Sequence, residues 1–424
     1  MSPKADAYDV IVVGGGPAGS TTATLTADGG RRVLLLEREQ FPRFRIGESL
    51  MPATYWTLER LGVLEQMKRS YFPHKHSVQF FARSGRASVP FYFSETEPGP
   101  SAQTWQVDRS DFDQMLLNNA REHGVEVHER ARVTDVLFDG ARARGVEARF
   151  ADGSTHRLDA TVVVDATGQS ALLAKRLKLR QVDTNLMNCS FFTRYRGGWR
   201  GEGVDEGATL IFYTSQPRTW FWYIPLPDGV VSAGVVGPIE RLTKGRANTP
   251  QQVYDEEAAD CPALLERIAG AEQLHDVRVL KDFSYASHRV AGDGWLLVGD
   301  AFGFIDPIYS SGVFLALKGA EFAAESILDA FNHEDISAER LGQHGKEFLQ
   351  GVEAMRKLVY AYYSEEFSFP EFLEHYPDMK DDLVNLFIGN VYRKNVGRLL
   401  ESMEEFCALP AYEPFTLQET TSDR

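Results

Sequence analysis

The feature that most constrains this chain is a glycine-rich turn directly after a short apolar run. Tyr8–Val13 reads YDVIVV, and Gly14-Gly15-Gly16-Pro17-Ala18-Gly19 follows without a gap. Ser20–Asp28 is compatible with a helix, and Arg32–Leu36 is a second apolar run that ends in Glu37. A buried parallel strand, a GxGxxG turn, a helix, a strand and an acidic residue, in that order, predict a βαβ unit that holds a dinucleotide. Gly14 permits the tight turn, Gly16 lets the backbone approach a pyrophosphate, and Gly19 lets helix and strand pack closely. The helix N-terminus brings amide donors and its positive dipole end to the phosphates, with Pro17 and Ala18 at its first turn. Glu37 is placed to accept hydrogen bonds from a ribose.

Such a unit needs a large protein around it, and 424 residues suffice for two or three domains. A net charge of −15 argues against nucleic acid or an anionic membrane surface as partner. Cys189, Cys261 and Cys407 stand far apart, with no CxxC pair, which speaks against a disulfide framework or a cysteine metal site. The opening MSPKADAYD lacks the apolar stretch of a targeting signal, and no apolar run is long enough to span a bilayer. A cytoplasmic protein is expected, with no membrane partner and no metal. His74 and His76 share a face if extended, but no acidic or cysteine cluster joins them.

Two later segments narrow the nucleotide. Thr161–Val164 is a β run followed by Asp165-Ala166-Thr167-Gly168, and Trp295–Val298 leads into Gly299-Asp300-Ala301. Both resemble the strand-to-loop segments of two-domain FAD enzymes of the hydroxylase superfamily. That resemblance implies FAD, with Asp300 on its ribityl chain and Arg109, within Gln106–Asp111, near the flavin. The implied fold is α/β: a two-lobed, Rossmann-like FAD-binding hydroxylase-superfamily fold with a β-rich substrate lobe and a C-terminal helical cap. The expected boundaries are 1–180 and 282–330 for the FAD-binding domain, 181–281 for the substrate lobe and 331–424 for the helical region. Ser190–Tyr195, Thr209–Tyr213, Thr219–Ile224 and Val230–Val236 read as strands of that lobe. Val352–Tyr360 and Asp382–Met403 show helical apolar spacing. The tail after Pro414 is mostly polar and is expected to fray.

Within that superfamily, four features resemble the flavin-dependent halogenases. The segment from Phe41 to Pro52 reads FPRFRIGESLMP, and in those enzymes such a segment lies against the flavin, here through Arg45 and Ile46. Trp220-Phe221-Trp222-Tyr223-Ile224-Pro225 matches their WxWxIP pattern, whose indoles are thought to disfavour direct hydroxylation at the flavin. Phe304-Ile305-Asp306-Pro307-Ile308-Tyr309-Ser310-Ser311-Gly312 matches FxxPxxSxG. It implies flavin contact by Pro307, a catalytic Ser310, and a halide pocket at the backbone amides of Ser311 and Gly312, just before the helical run Phe314–Ala330. Lys75 stands where the family has its essential lysine.

The chemistry implied by the resemblance is specific. Reduced flavin and O2 give a C4a-hydroperoxide, and chloride or bromide attacks it to release hypohalous acid. Lys75 then directs the electrophilic halogen to one carbon of an electron-rich ring. Lysine suits this because burial readily lowers its pKa. No second GxGxxG is present, so FADH2 is expected from a separate flavin reductase. Tyr309 replaces the glutamate that tryptophan halogenases carry before the serine. The chain resembles the phenol- and pyrrole-halogenating branch instead, whose substrates are free or tethered to a carrier protein. The competing readings are an FAD-dependent hydroxylase and a geranylgeranyl-reductase-like oxidoreductase, which share the nucleotide site but do not predict WxWxIP together with Lys75.

Overall fold

The computed structural model describes residues 7–95, 98–245, 249–281, 284–343 and 345–410. The expected fraying after Pro414 and the opening six residues lie outside this set.

Tyr8–Val13 forms the central strand of a sheet because its residues are buried on both faces, which calls for an unbroken apolar run. It pairs in parallel with Val33–Leu36 on one side and with the end of Thr155–Asp165 on the other, so Val10 lies between Val33 and Val162. Glu126–His128 and Trp295–Leu297 extend the parallel order outwards. Thr155–Asp165 also runs back as an antiparallel meander with Arg142–Arg149 and Arg132–Asp139. The helices Pro17–Asp28, Arg109–Glu122 and Ser311–Asn332 pack together on this sheet.

A second sheet is antiparallel through Asn188–Arg196, Val230–Pro238, Trp220–Pro225 and Thr209–Tyr213. Its edge departs from the expected boundaries. Ser77–Phe81, far upstream of residue 181, adds in parallel to Thr209–Tyr213, so this sheet takes strands from two distant stretches. The stretch 239–268 is helical, as Ile239–Thr243, Pro250–Ala259 and Pro262–Ile268, so the lobe is not all β. Each of the last two helices opens on a proline, and Thr249 and Gln252 form a reciprocal capping box on the first.

The C-terminal region is helical, with Gly345–Tyr363 the longest helix. The stretch Asp382–Met403 is two helices, Lys380–Ile388 and Gly397–Phe406, with a break between them. Gly389 ends the first at φ +87°, a left-handed turn that the apolar spacing alone did not reveal. No helix among the described residues is long and apolar enough to cross a membrane.

Candidate active site

A cavity of about 800 Å3 runs from the C-terminal ends of the parallel strands to the antiparallel sheet. Ligands of open α/β sheets bind at that strand edge. Gly14, Gly16, Pro17, Ala18, Glu37, Arg45, Ile46, Arg109, Asp300 and Pro307 all line it; Gly19 does not. The three glycines face different constraints. At Gly14, where φ is +109°, a Cβ would lie 2.4 Å from the Ala166 carbonyl oxygen, and at Gly19 it would lie 1.9 Å from that of Gly14. At Gly16 the nearest atom is Arg43 Nη2 at 3.6 Å, so the backbone there borders open space.

The polar groups around this space suit FAD. Glu37 is tied back to the turn, its Oε2 accepting from the Gly15 amide at 2.7 Å and its Oε1 from the Glu39 amide at 2.8 Å. Arg43 and Arg109 both bind Asp113; Arg109 reaches both carboxylate oxygens, at 2.8 and 3.0 Å, and donates to Ile46 O at 2.6 Å. These arginines thereby hold the segment Phe41–Pro52 along the cavity. Arg45 pairs with Glu39 at 2.7 Å. The Asp300 carboxylate engages no hydrogen-bond donor among the described residues, and removal from bulk water pushes it up to about 6 against the pull of Arg109. A desolvated acceptor aimed into a cavity is what a hydroxyl-bearing ribityl chain would satisfy.

Further along, Trp220, Trp222 and Ile224 present their alternate-residue face to the cavity, while Phe221 and Tyr223 pack in the lobe core. Trp222 Nε1 donates to Ser232 Oγ at 3.2 Å, and Trp220 Nε1 to the Tyr363 hydroxyl at 2.8 Å. Tyr363 in turn donates to Asp306 Oδ2 at 3.0 Å, which also accepts from Asn188 Nδ2 at 2.8 Å. Asp306 is fully buried, and its Oδ1 accepts from the Ile308 amide at 3.2 Å. This carboxylate therefore fixes the turn Pro307–Tyr309.

Ser310 follows that turn with φ +59° and lines the cavity with Gly312. The helix begins at Ser311, three residues before the expected Phe314, and no side chain caps it. With no side-chain cap among the described residues, its first-turn amides are the donors that a helix leaves without intrahelical partners. Ser311 is 1% exposed, its hydroxyl has no partner among the described residues, and it lies behind the lining.

Lys75 lies apart from these groups. It is 2% exposed, on a two-residue strand paired with Thr104–Trp105, and does not line the cavity. Its Nζ donates to Ser49 Oγ at 2.9 Å and to Leu50 O at 3.0 Å. Ser49 and Thr209, joined at 3.0 Å between hydroxyl oxygens, do line the cavity and stand between it and Lys75. Burial lowers the amine to about 7. Neighbouring Glu48, also buried and pushed up by desolvation, is paired with Arg194 at 3.2 Å.

Tyr213, Tyr362 and Phe387, which cluster with the motif residue Tyr309 beside the cavity without lining it, escape sequence reading. Tyr362 stacks on Tyr213 with centroids 5.6 Å apart, and Tyr309 meets Tyr362 at 6.1 Å and Phe387 at 5.4 Å. They come from three separate regions, and no local pattern sets them apart from core aromatics. Ser49 and Gln106 lie in segments the sequence marks for the flavin, but their contacts with Lys75 and Thr209 are not legible there. Among the described residues no three His, Cys, Asp or Glu side chains are gathered to hold a metal ion.

Comparison with known proteins gives a consistent result. A family model described as an FAD binding domain matches residues 7–355. A 1H-pyrrole-2-carbonyl-[peptidyl-carrier protein] chlorinase of Pseudomonas fluorescens is 30% identical over 96% of this chain and 94% of its own. The corresponding brominase of Pseudoalteromonas luteoviolacea is 32% identical, over 90% of this chain and 92% of its own. Among solved structures, a flavin-dependent brominase superposes with a TM-score of 0.83 at 32% identity, covering 95% of this chain and 99% of that one.

Proposed function

The chain belongs to the flavin-dependent halogenases, and from that premise we propose that it halogenates a pyrrole carbonyl group held as a thioester on a carrier protein, with Lys75 directing the halogen. The observation that carries this reading is the placement of Lys75. A buried, depressed-pKa amine stands one hydroxyl layer, Ser49 and Thr209, behind the wall of the nucleotide cavity. The two pyrrole-carrier halogenases that match nearly the whole chain support the substrate class.

When bound, and with a flavin reductase as its electron source, FAD would supply with O2 the oxidant for chloride or bromide. It would be held by Gly14, Gly16 and the helix behind them at the pyrophosphate, by Glu37 at the ribose, and by Asp300 at the ribityl chain. Arg109 keeps Ile46 and its segment against the cavity. The free amides at Ser311 and Gly312 would hold the halide, with Ser310 beside them. Asp306 locks the loop that presents these amides. Trp220 and Trp222, on the cavity wall, would keep the organic substrate from reaching the oxidant directly. A neutral Lys75 amine would take the halogen from hypohalous acid, an N–halogen bond forming as the O–halogen bond breaks and the oxygen leaving as water with a proton from the amine; an ammonium has no lone pair for this step. Tyr309, Tyr362, Tyr213 and Phe387 pack on one another as an aromatic cluster beside the turn that carries Ser310.

The test supplies the protein with FAD, a flavin reductase, NADH, O2 and bromide or chloride. Pyrrolyl-carrier thioester, free pyrrole-2-carboxylate and simple phenols are offered in parallel, and products are weighed by mass spectrometry. The expected result is halogenated pyrrole on the carrier, absent with Lys75→Ala. Halogenated phenol with an untouched carrier thioester would overturn the substrate class. Oxygenated product formed without halide would overturn the halogenase mechanism.

A further inference from the structure

We propose that the hairpin at 82–90, through Arg83, Arg86 and Val89, is the surface on which the carrier protein docks to bring its thioester arm to Lys75. The proposal rests on the pyrrole-carrier reading of the substrate and adds to it the place of contact.

The sequence around Lys75 is basic in an acidic protein. From 66 to 94 it holds Lys68, Arg69, Lys75, Arg83 and Arg86 and neither Asp nor Glu, while the whole chain has a net charge of −15. Lys75 is buried, Lys68 is paired with Glu65 at 2.7 Å, and Arg69 donates to Glu65 O at 3.1 Å. Arg83 and Arg86 are exposed and engage no acidic group among the described residues. The backbone that carries them is tied across the turn. Ala82 N donates to Arg86 O at 2.9 Å, Gly85 N to Ala82 O at 2.8 Å and Ser88 N to Phe80 O at 2.8 Å. The groups packed against the hairpin do not cancel its charge. The helix Pro262–Ile268 lies behind Gly85, where an added Cβ would stand 3.9 Å from Ala263 Cβ, and it carries Glu266 and Arg267, one of each sign. Asp205, at the base of the strands, accepts from Ser77 and Tyr92. Val89, which closes the hairpin, is 85% exposed. Two free cations beside an exposed aliphatic side chain fit an anionic partner with some apolar surface.

The hairpin lies away from the nucleotide cavity. Ser77–Phe81 and Phe91–Tyr92 are the outer strands beyond Thr209–Tyr213, and no residue from 75 to 94 lines the cavity. A carrier docked there does not compete with the flavin. Between hairpin and lysine, Val78, Phe80 and Phe91 are only partly buried, and they lead to Phe93, whose ring centroid is 5.5 Å from Lys75 Nζ. The reach also fits. The six residues from Lys75 to Phe81 span at most about 20 Å. A pantetheine arm, with two amides in its chain, is as long as five or six extended residues, roughly 18 Å. The arm is joined to its carrier through a phosphodiester, so the end that stays at the carrier surface is negative, and Arg83 and Arg86 stand at that distance from the lysine.

The test reads binding, without turnover. The peptidyl-carrier proteins that serve the two pyrrole-carrier relatives are prepared with the pyrrole carbonyl held on the arm through a stable amide. They are dye-labelled and titrated with the full chain under fluorescence anisotropy. The parent is expected to bind, and more weakly as salt rises from about 50 to 500 mM. The double reversal Arg83→Glu with Arg86→Glu is expected to weaken binding at least about tenfold at low salt and much less at high salt. Arg144→Glu with Arg157→Glu, on the meander of the other sheet, changes the net charge by the same amount and is expected to bind within about twofold of the parent. Arg83→Lys with Arg86→Lys keeps the charge and is expected to stay near the parent too. A hairpin reversal that binds within about twofold of the parent, or an equal loss in the Arg144 and Arg157 variant, would overturn the docking surface and leave the substrate class standing. A parent that binds neither carrier would overturn the substrate class and the docking surface with it.

Discussion

Replacing Lys75 by methionine should make the protein more stable at neutral pH, and the size of the gain should depend on pH. Burial takes the amine from 10.5 to about 7. That difference corresponds to about 5 kcal/mol of penalty on folding with the proton retained. Below about pH 7 the folded and unfolded chains both carry the proton, and the full penalty applies. Between 7 and 10.5 the unfolded chain binds more protons, so stability of the parent rises with pH, and above 10.5 the penalty is gone. Methionine removes the penalty but leaves Leu50 O and Ser49 Oγ without the amine's hydrogens, which costs about 2 kcal/mol. The variant should therefore be more stable by about 2–3 kcal/mol at pH 6–7, lose that advantage at about 1.4 kcal/mol per pH unit above pH 7, and fall below the parent at about pH 8.5–9. Urea unfolding followed by tryptophan fluorescence, with both proteins at the same FAD concentration, measures the difference. A difference that stays flat from pH 6 to pH 10 would show that Lys75 carries its proton in the folded protein, and the reasoning would fail.

Other outcomes follow from the same geometry. Gly16→Ala points its methyl into open cavity space, so unfolding should be unchanged while FAD affinity, read by quenching of flavin fluorescence, drops at least tenfold. Gly19→Ala drives its methyl into Gly14 O and should lower the melting temperature sharply before any flavin is added. Asp300→Asn should weaken FAD binding by about tenfold with little change in folding, consistent with the loss of one charge-assisted hydrogen bond. Tyr363→Phe takes a donor from Asp306 and orphans Trp220 Nε1, which should cost about 2 kcal/mol of stability. If Asp306 sets the anion loop, that variant should also raise the KM for bromide more than it lowers kcat; equal KM values would dissociate the loop from halide binding.

What could be read without coordinates was whatever depends on local geometry. The run Tyr8–Val13, the glycine turn and the second strand had to be adjacent in sequence to work, so their spacing carried the fold of the nucleotide half. The alternation of Trp220, Trp222 and Ile224 with Phe221 and Tyr223 is a period of two, and it separates the cavity face of that strand from its core face. The helix-favouring run begins at Phe314 because Ser311, Gly312 and Val313 are poor or neutral helix formers, while the expected place of Ser311 and Gly312 at the helix N-terminus agrees with the structure. In the structure the turn fixed by Asp306 and the left-handed Ser310 launch the helix directly. The break at Gly389 was missed for the opposite reason, since apolar spacing continues on both sides of it.

The surroundings of Lys75 show why the remainder was out of reach. Nothing near residue 75 announces a partner: Ser49 and Gln106 lie in segments that the sequence marks for the flavin and not for the lysine, and Thr209 lies in an ordinary strand. They meet because Ser77–Phe81 joins Thr209–Tyr213 in parallel, with Thr209 opposite Val78, while Ser49 bridges to Gln106 from another stretch. A slip of one residue in that register would turn Thr209 to the other face of its strand and break its contact with Ser49. The contact of Ser49 with Thr209, and through Ser49 the immediate surroundings of Lys75, thus depend on the pairing of strands more than 100 residues apart in sequence.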